Sequence, residues 1–244
     1  MRRSKHRKKS YSWIFFTVTV LILLVACIAF LILMRVERVS VRGNYYSNRE
    51  TVIGRVFQNE DDYRLYRVLW KQLFGTGEKE AFSSCTVRLT GVQSAEITVV
   101  ETEAVCQMVL GESHVFLNRN GIVLGSGAGS ADLLMELGGF TVLSVSELEP
   151  IRVNNPSALL EGIEVILALK EQNVRVKSVL YEDGTFSAVI GQVKVLLGTT
   201  ENIRGKAAEL SGQAASFQGL KGIMHLENYL NDDEQKRVYF EVTP

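Results

Sequence analysis

The sequence predicts an α+β protein with a single N-terminal transmembrane helix, a small β-α-α-β-β domain and a larger, mostly antiparallel β-domain with flanking helices. Three observations lead to this prediction. A long uncharged segment follows a basic N-terminus, apolar residues then recur at strand and helix spacing, and the second half repeats short strand patterns between glycine turns. The predicted boundaries are 1–11 for a basic cytoplasmic tail, 12–34 for the membrane helix, 35–106 for the small domain and 107–244 for the β-domain.

The membrane helix is predicted from the 21 residues between Ile14 and Met34, none of which is charged. A helix of that length is about 30 Å long, which matches the hydrocarbon thickness of a bilayer. Six Lys and Arg residues precede it, whereas few net charges follow it. The positive-inside bias therefore predicts a single-pass protein with its N-terminus in the cytoplasm and its bulk outside.

Two alternatives to a permanent anchor compete with this prediction. A cleaved secretory signal has an apolar core of roughly 7–15 residues and a small-residue cleavage site, and this segment is longer and lacks such a site. The stretch Leu24–Cys27 resembles a lipobox, but a mature lipoprotein would then begin with the apolar sequence IAFLILM. We expect Cys27 to be an ordinary apolar thiol.

Composition bounds the class of the exterior part. Without the basic tail the chain has 21 basic and 27 acidic residues, so its net charge is about −6. Nucleic-acid-binding domains usually carry a clustered basic face, and none is visible here. The two exterior thiols, Cys85 and Cys106, are out of register across the predicted hairpin, so we expect both to be free and buried.

The small domain is predicted element by element. Alternating apolar residues indicate a strand from Val36 to Arg42. Ser47 or Asn48 can cap the first helix, and a second helix begins after Asp61 and Asp62. That second helix ends at the glycines of 75–77, and two strands complete the domain, Cys85–Leu89 and Ala95–Glu101 with an extension to about Val109.

The β-domain is predicted from turn chemistry and periodicity. A hairpin joins His114–Leu117 to Ile122–Leu124, and a flexible loop or a tolerated insertion follows at Gly125–Ser130. The remaining predicted elements are short strands at 140–145 and 151–153, a helix over Ala158–Gln172 capped by Asn155, a meander over 174–180, 185–190 and 193–196, a helix beginning at Thr199 or Thr200, and strands Gly222–Tyr229 and Arg237–Val242 around a turn at Asn231–Glu234.

The order of these features and several local motifs resemble the FtsQ/DivIB family of bacterial cell-division proteins. Val39–Asn44 followed by Ser47 resembles the first strand and helix start of the family's POTRA domain. Residues 97–101 with Ala104 and Val105 resemble its last strand, although the proline common there is absent. Residues 118–123 resemble the turn that opens the family's β-domain, with Asn118 in place of Asp. Leu197, Gly198, Ile203, Lys206 and Leu210, followed by 222–227, resemble its closing helix and strand.

The resemblance implies a divisome scaffold rather than an enzyme. Members of the family bind the division proteins FtsL and FtsB, or DivIC, and by that resemblance support the septal peptidoglycan synthase at the division septum. It implies recruitment through the POTRA domain, for which the candidate contacts are Arg49, Glu50 and Arg55. It also implies addition of a partner strand to the last strand, an arrangement called β-augmentation. The candidate contacts for that strand addition are Met224, Leu226, Tyr229, Val238, Tyr239, Phe240 and Val242, with the two tyrosines favoured.

Catalytic and metal-binding motifs are weak in this sequence. His6, His114 and His225 are the only histidines, and no H-x-x-x-H or C-x-x-C pattern occurs. We therefore expect no metal, cofactor or small-molecule substrate. Four acidic residues could pair as acid and base but more often form a solvated face: Asp132, Glu136, Glu147 and Glu149. The alternative function is an extracytoplasmic cell-wall enzyme or ligand-binding sensor.

Overall fold

The computed structural model describes residues 12–77, 80–127, 134–217, 219–229 and 238–242. The fold is mixed α+β and divides into two compact units. The first unit contains Met1–Arg42, Val56–Gly77 and Cys85–Thr98, and the second contains Gly43–Arg55, Glu78–Ser84 and Val99–Pro244. The chain therefore crosses between the units several times. The domain boundary at residue 106 stays a prediction.

Helix α1 (Ser12–Leu33) begins the described chain, and its apolar side chains from Trp13 to Leu33 are almost all exposed. Its few polar groups are satisfied within the helix, because the hydroxyls of Thr17 and Thr19 donate to the carbonyls of Ile14 and Phe15 at 2.8 and 2.9 Å. By length and composition it is the one helix in the described ranges that fits a membrane span, and an N-terminal helix of this kind serves as a membrane anchor or as a signal sequence.

The connection from α1 to the first strand is short and hydrogen-bonded. Four residues separate the end of α1 from strand β1 (Arg38–Arg42), which begins two residues later than the sequence predicts. The N–H of Val36 donates to the carbonyl of Tyr63 at 2.7 Å, and the N–H of Leu65 donates to the carbonyl of Met34 at 2.9 Å. The chain thus leaves α1 without a flexible linker.

A three-stranded sheet with the order β1-β3-β2 follows. Strand β1 pairs in parallel with β3, so Val39 lies opposite Ala95 and Val41 opposite Ile97. The predicted sequence of elements, strand, helix, helix, strand and strand, is therefore present. The elements after β1 are helix α2 (Arg49–Val56), a 3-10 turn (Glu60–Tyr63), helix α3 (Leu65–Phe74), strand β2 (Phe82–Gly91) and strand β3 (Ser94–Glu101).

The second unit contains a large, mostly antiparallel sheet of nine strands. Its strands include β4 (Cys106–Leu110), β5 (Ser113–Leu117), β6 (Val123–Gly127), β7 (Met135–Gly138), β10 (Ser178–Glu182), β11 (Thr185–Ile190), β12 (Gln192–Gly198), β13 (Lys221–His225) and β14 (Tyr239–Val242). The order across the sheet is β14-β13-β12-β11-β10-β7-β4-β5-β6. The predicted β5–β6 hairpin and β10–β12 meander are confirmed. Three pairings are parallel and were not foreseen, namely β4–β7, β7–β10 and β12–β13.

Helix α4 (Pro156–Glu171) packs against β7, β10 and helix α5 (Ile203–Gln213), and the apolar faces of both helices join the core of the sheet. The side chain of Asn155 caps α4 by accepting from the N–H of Ala158 at 3.2 Å, as predicted. The short strands β8 (Val142–Ser144) and β9 (Arg152–Val153) pair with each other, as the sequence indicates.

Two predictions in the second unit need correction. Helix α5 begins at Ile203 rather than at Thr199 or Thr200, because Asn202, with a φ of 51°, takes the left-handed conformation directly before it. The predicted flexible loop at 125–130 is wrong for its first three residues, which belong to β6. Gly125 lies so close to the chain that a Cβ there would sit 2.1 Å from the carbonyl oxygen of Tyr46. Residues 128–130 of that loop lie outside the described residues, as do Asp132 and the turn at 231–234.

Cys85 and Cys106 form no disulfide and both are buried, as predicted. Cys106 is fully buried in β4, and burial raises the pKa of its thiol to about 12. Its thiol therefore stays protonated at neutral pH, whereas the thiolate is the nucleophilic form. Cys85 is buried in β2.

Candidate functional site

Strand β14 lies at one end of the nine-stranded sheet and pairs with a single described neighbour, β13. The pairing is antiparallel, with Tyr239 opposite His225 and Val242 opposite Gly222. A terminal strand of this kind presents backbone N–H and C=O groups on its outer side that no strand of the described sheet uses. We call this outer side of residues 239–242 the β14 edge.

The side chains of β14 and of the residue before it differ in exposure. Tyr239 is 54% exposed and Val242 is 70% exposed. Phe240 and Val238 are half-buried against the sheet core, and the Phe240 ring stacks on that of Phe217 with the centroids 6.1 Å apart. Of the four candidate contacts in 238–242, Tyr239 and Val242 are therefore accessible to a partner, whereas Phe240 and Val238 hold the strand to the protein.

The three candidate contacts from the preceding strand lie in the core. Met224 and Leu226 are fully buried, and Tyr229 is 7% exposed. A partner that adds to the β14 edge cannot touch these side chains in this conformation. The alternating apolar pattern of 222–229 thus reflects the packing of β13 and the residues after it against the sheet core.

Gly222 allows β14 to approach β13 closely. A Cβ at this position would lie 2.3 Å from the carbonyl oxygen of Glu241 and 2.8 Å from the Phe240 ring. Any larger residue would therefore displace β14. Sequence reasoning noted Gly222 only as the start of a strand, and the one signal for its role is a glycine inside a strand pattern.

A polar cluster surrounds His225, the partner of Tyr239 across the two strands. The Tyr239 ring stacks on the imidazole with a centroid distance of 4.1 Å, and Nδ1 lies 2.8 Å from Oε1 of Glu227. Its Nε2 lies 3.8 Å from a carboxylate oxygen of Glu241 and is buried without a hydrogen-bond partner. No local sequence pattern indicates this cluster, because its members come from two separate segments, 225–227 and 239–241.

The three candidate recruitment residues lie on α2. Arg49 and Glu50 are exposed in the first turn, and Arg55 is half-buried near the end. Glu147 holds the start of this helix by accepting from the N–H and side-chain amide of Asn48, at 3.2 and 2.7 Å. Glu147, one of the four acidic residues that could pair as acid and base, thus stabilises a helix N-terminus.

The carboxylate of Glu101, at the end of β3, fixes the loop before α2. One oxygen accepts from the N–H groups of Tyr45 and Tyr46 at 3.0 and 2.8 Å. The other accepts from the N–H of Ser47 at 2.9 Å and from its hydroxyl. Gly43, with a φ of 85°, brings the same loop against the carbonyl of Val99. Residues 43–47 are therefore held at both ends.

The described residues contain no candidate metal centre. No set of three or more His, Cys, Asp or Glu side chains there is placed to hold a metal ion. Glu136 lies on β7, and His114 is half-buried on β5. A cleft between Arg119 and helices α4 and α5 contains Glu171 and Arg204, which pair at 3.7 Å, but no histidine.

No protein-family model matches this chain, and no curated protein sequence matches it.

Proposed function

We propose that this protein is a non-catalytic, bitopic membrane scaffold of the bacterial divisome, similar to FtsQ and DivIB. In this proposal α1 remains as a single-pass anchor with the N-terminus in the cytoplasm, and the rest of the chain acts outside the membrane at the division septum. The elements from β1 to β3 act as a POTRA domain. The β14 edge binds FtsL- and FtsB/DivIC-type proteins, which in turn support the septal peptidoglycan synthase.

The observation that carries the proposal is the terminal position of β14 in the nine-stranded sheet. Backbone groups on the β14 edge can pair with an extended segment of a partner, and this pairing supplies affinity without a pocket. The exposed side chains of Tyr239 and Val242 are available for selectivity. Tyrosine suits such a contact because it combines a large apolar face with a polar tip.

The anchor and the element order add independent support. Helix α1 is long and apolar enough to cross a membrane, and the six basic residues before it favour retention with the N-terminus inside. The order strand, helix, helix, strand, strand with β1 parallel to β3 is compatible with a POTRA-type layout. Recruitment through Arg49, Glu50 and Arg55 on α2 is part of the same proposal.

The test is co-purification of the tagged full-length chain with co-expressed FtsL and DivIC-type partners from membranes. We expect Y239A/V242D to reduce recovery of the partners, because both side chains are exposed and their loss spares the core. F240P should abolish recovery, since proline removes a backbone donor from the strand. Phe240 also packs on the core, so the exposed pair, not F240P, decides between a contact role and loss of the fold.

The matched control is S126P, which places proline in β6, the strand at the opposite end of the sheet. We expect S126P to leave partner recovery unchanged. Equal recovery of partners by Y239A/V242D and the unmodified protein would contradict strand addition at β14. Imaging of a tagged full-length protein in dividing cells tests the wider proposal, for which we expect fluorescence at midcell and not around the whole envelope.

A further inference from the structure

Helix α3 carries an exposed aromatic surface that the proposed scaffold role does not use. Trp70 is 62% exposed and Leu73 is 74% exposed, and the rings of Trp70 and Phe74 lie 4.2 Å apart. We call the exposed side chains of Tyr66, Trp70, Leu73 and Phe74 the α3 face. Single exposed apolar residues are common on protein surfaces, whereas contiguous exposed apolar patches are rare and mark interaction sites. The aromatic surface of this short helix therefore indicates a binding partner.

The opposite side of α3 already faces the protein. Leu65 and Val68 are buried, and they alternate with the α3 face at helical spacing. The α3 face is therefore a second apolar side of the helix, and it extends over most of its length of about 15 Å. Packing within the chain explains the first apolar side but leaves the second without a partner among the described residues.

The position of α3 identifies what meets this face. The N–H of Leu65, its first residue, donates to the carbonyl of Met34, the residue directly after α1. The guanidinium of Arg64, which precedes α3, donates to the carbonyl of Ile32 within α1 at 3.3 Å. Helix α3 thus begins where the apolar span of α1 ends, which is the level of the lipid headgroups for a helix that spans a bilayer.

The side-chain chemistry of the α3 face matches that level. Tryptophan and tyrosine concentrate at membrane–water interfaces, where the ring is in an apolar layer and its polar atom meets water or headgroups. Arg67 sits over the Tyr66 ring at 5.8 Å and hydrogen-bonds the phenol oxygen, which also fits an interface with lipid phosphates. The neighbouring Arg64 and Lys71 pair with Asp61 and Asp62, so the charge around α3 is largely balanced.

We propose that the α3 face lies in the headgroup layer of the membrane that α1 spans, so that α3 is a second, interfacial membrane contact. The inference rests on the proposed retention of α1 as an anchor. Since the local charges are balanced, the contact depends on aromatic and apolar burial, and it forms on zwitterionic lipid without anionic headgroups.

The test uses the two tryptophans of the chain. In full-length W13F, reconstituted into phosphatidylcholine vesicles, Trp70 is the only tryptophan. We expect its fluorescence to be quenched more by lipid spin-labelled at the headgroup than by lipid labelled at the chain end, and to be protected from iodide in water. Full access of iodide to Trp70, with no quenching by either lipid, would overturn the proposal.

A paired variant separates the lipid contact from other causes of protection. L73E/F74E in the W13F background places two charges on the α3 face, so we expect loss of quenching by headgroup-labelled lipid and at least a several-fold gain in iodide quenching. L143E is the matched control, because Leu143 is similarly exposed at 67% but lies on β8, and it should leave Trp70 unchanged.

The remaining outcomes are also decisive. Protection of Trp70 that appears only after a partner protein is added would show a protein-binding face and overturn the membrane assignment. Y239A/V242D in the W13F background keeps the two proposals distinct. Loss of partner recovery with normal lipid quenching separates the β14 edge from the α3 face, and partner recovery with an iodide-accessible Trp70 would overturn the α3 proposal alone.

Discussion

The carboxylate of Glu101 is the part of the fold whose removal has the most predictable effect. It accepts four hydrogen bonds from Tyr45, Tyr46 and Ser47, three of them from backbone N–H groups. E101Q keeps the shape of the side chain but replaces one acceptor oxygen with an NH₂ group. At least one backbone N–H then faces a donor instead of an acceptor, and the remaining bonds lose their charge assistance.

The size of the effect follows from these contacts. A hydrogen bond to a charged group contributes about 1.5–3 kcal/mol, and Glu101 is half-buried, so we expect a cost of about 2–3 kcal/mol. If the loop opens locally, amide exchange at residues 45–47 accelerates about 30- to 150-fold, since 1.36 kcal/mol corresponds to a factor of ten. Hydrogen–deuterium exchange on the full-length protein in detergent measures this acceleration directly.

The matched control is E103Q, two residues further along the chain. Glu103 is 78% exposed, and its ion pair is with Lys170, which is also well exposed. Exposed ion pairs contribute little, so exchange at residues 45–47 should change by less than about threefold. Equal exchange at 45–47 in E101Q and E103Q would refute the assignment of Glu101 as the group that fixes this loop.

Three further predictions follow from single side chains. G222A should displace β14, because its Cβ would meet the carbonyl of Glu241, and should raise amide exchange in residues 239–242. N118D should destabilise the fold by about 1–3 kcal/mol in urea unfolding, because the amide of Asn118 donates to the carbonyl of Glu80, and a carboxylate at this buried position cannot donate to a carbonyl. Burial lowers the pKa of the Lys206 amine below its usual 10.5. Between this lowered pKa and 10.5 the unfolded state therefore binds more protons than the folded state, so the free energy of unfolding should rise with pH up to 10.5. Urea titrations of K206M should lack that part of the rise.

Local patterns predicted the elements whose partners are close in sequence. The capping side chain of Asn155 and the periodicity after it define α4, and the turns of β5–β6 and β10–β12 define their pairing. Such signals are contained within a few residues. The parallel pairings of β7 with β4 and β10 join segments separated by tens of residues, and no turn chemistry encodes them.

The candidate site was predictable only in outline. The alternation in 222–229 is the same whether a strand packs in a core or binds a partner, so it could not place Met224 and Leu226 in the interior. The role of Glu101 depends on contact with residues more than fifty positions earlier, and the cluster around His225 depends on the register between β13 and β14. Contacts of this kind arise only when the chain is folded.

The position of β14 also determines the order in which the sheet is completed. A ribosome releases the chain from its N-terminus, so residues 239–242 emerge after the other strands of the described sheet. Until then β13 is the terminal strand of the sheet, and the core side chain of Met224 lacks its cross-strand neighbour Phe240. The emergence of β14 therefore supplies this part of the core and creates the β14 edge. A chain truncated before residue 238 would lack the β14 edge and would instead present an edge formed by β13.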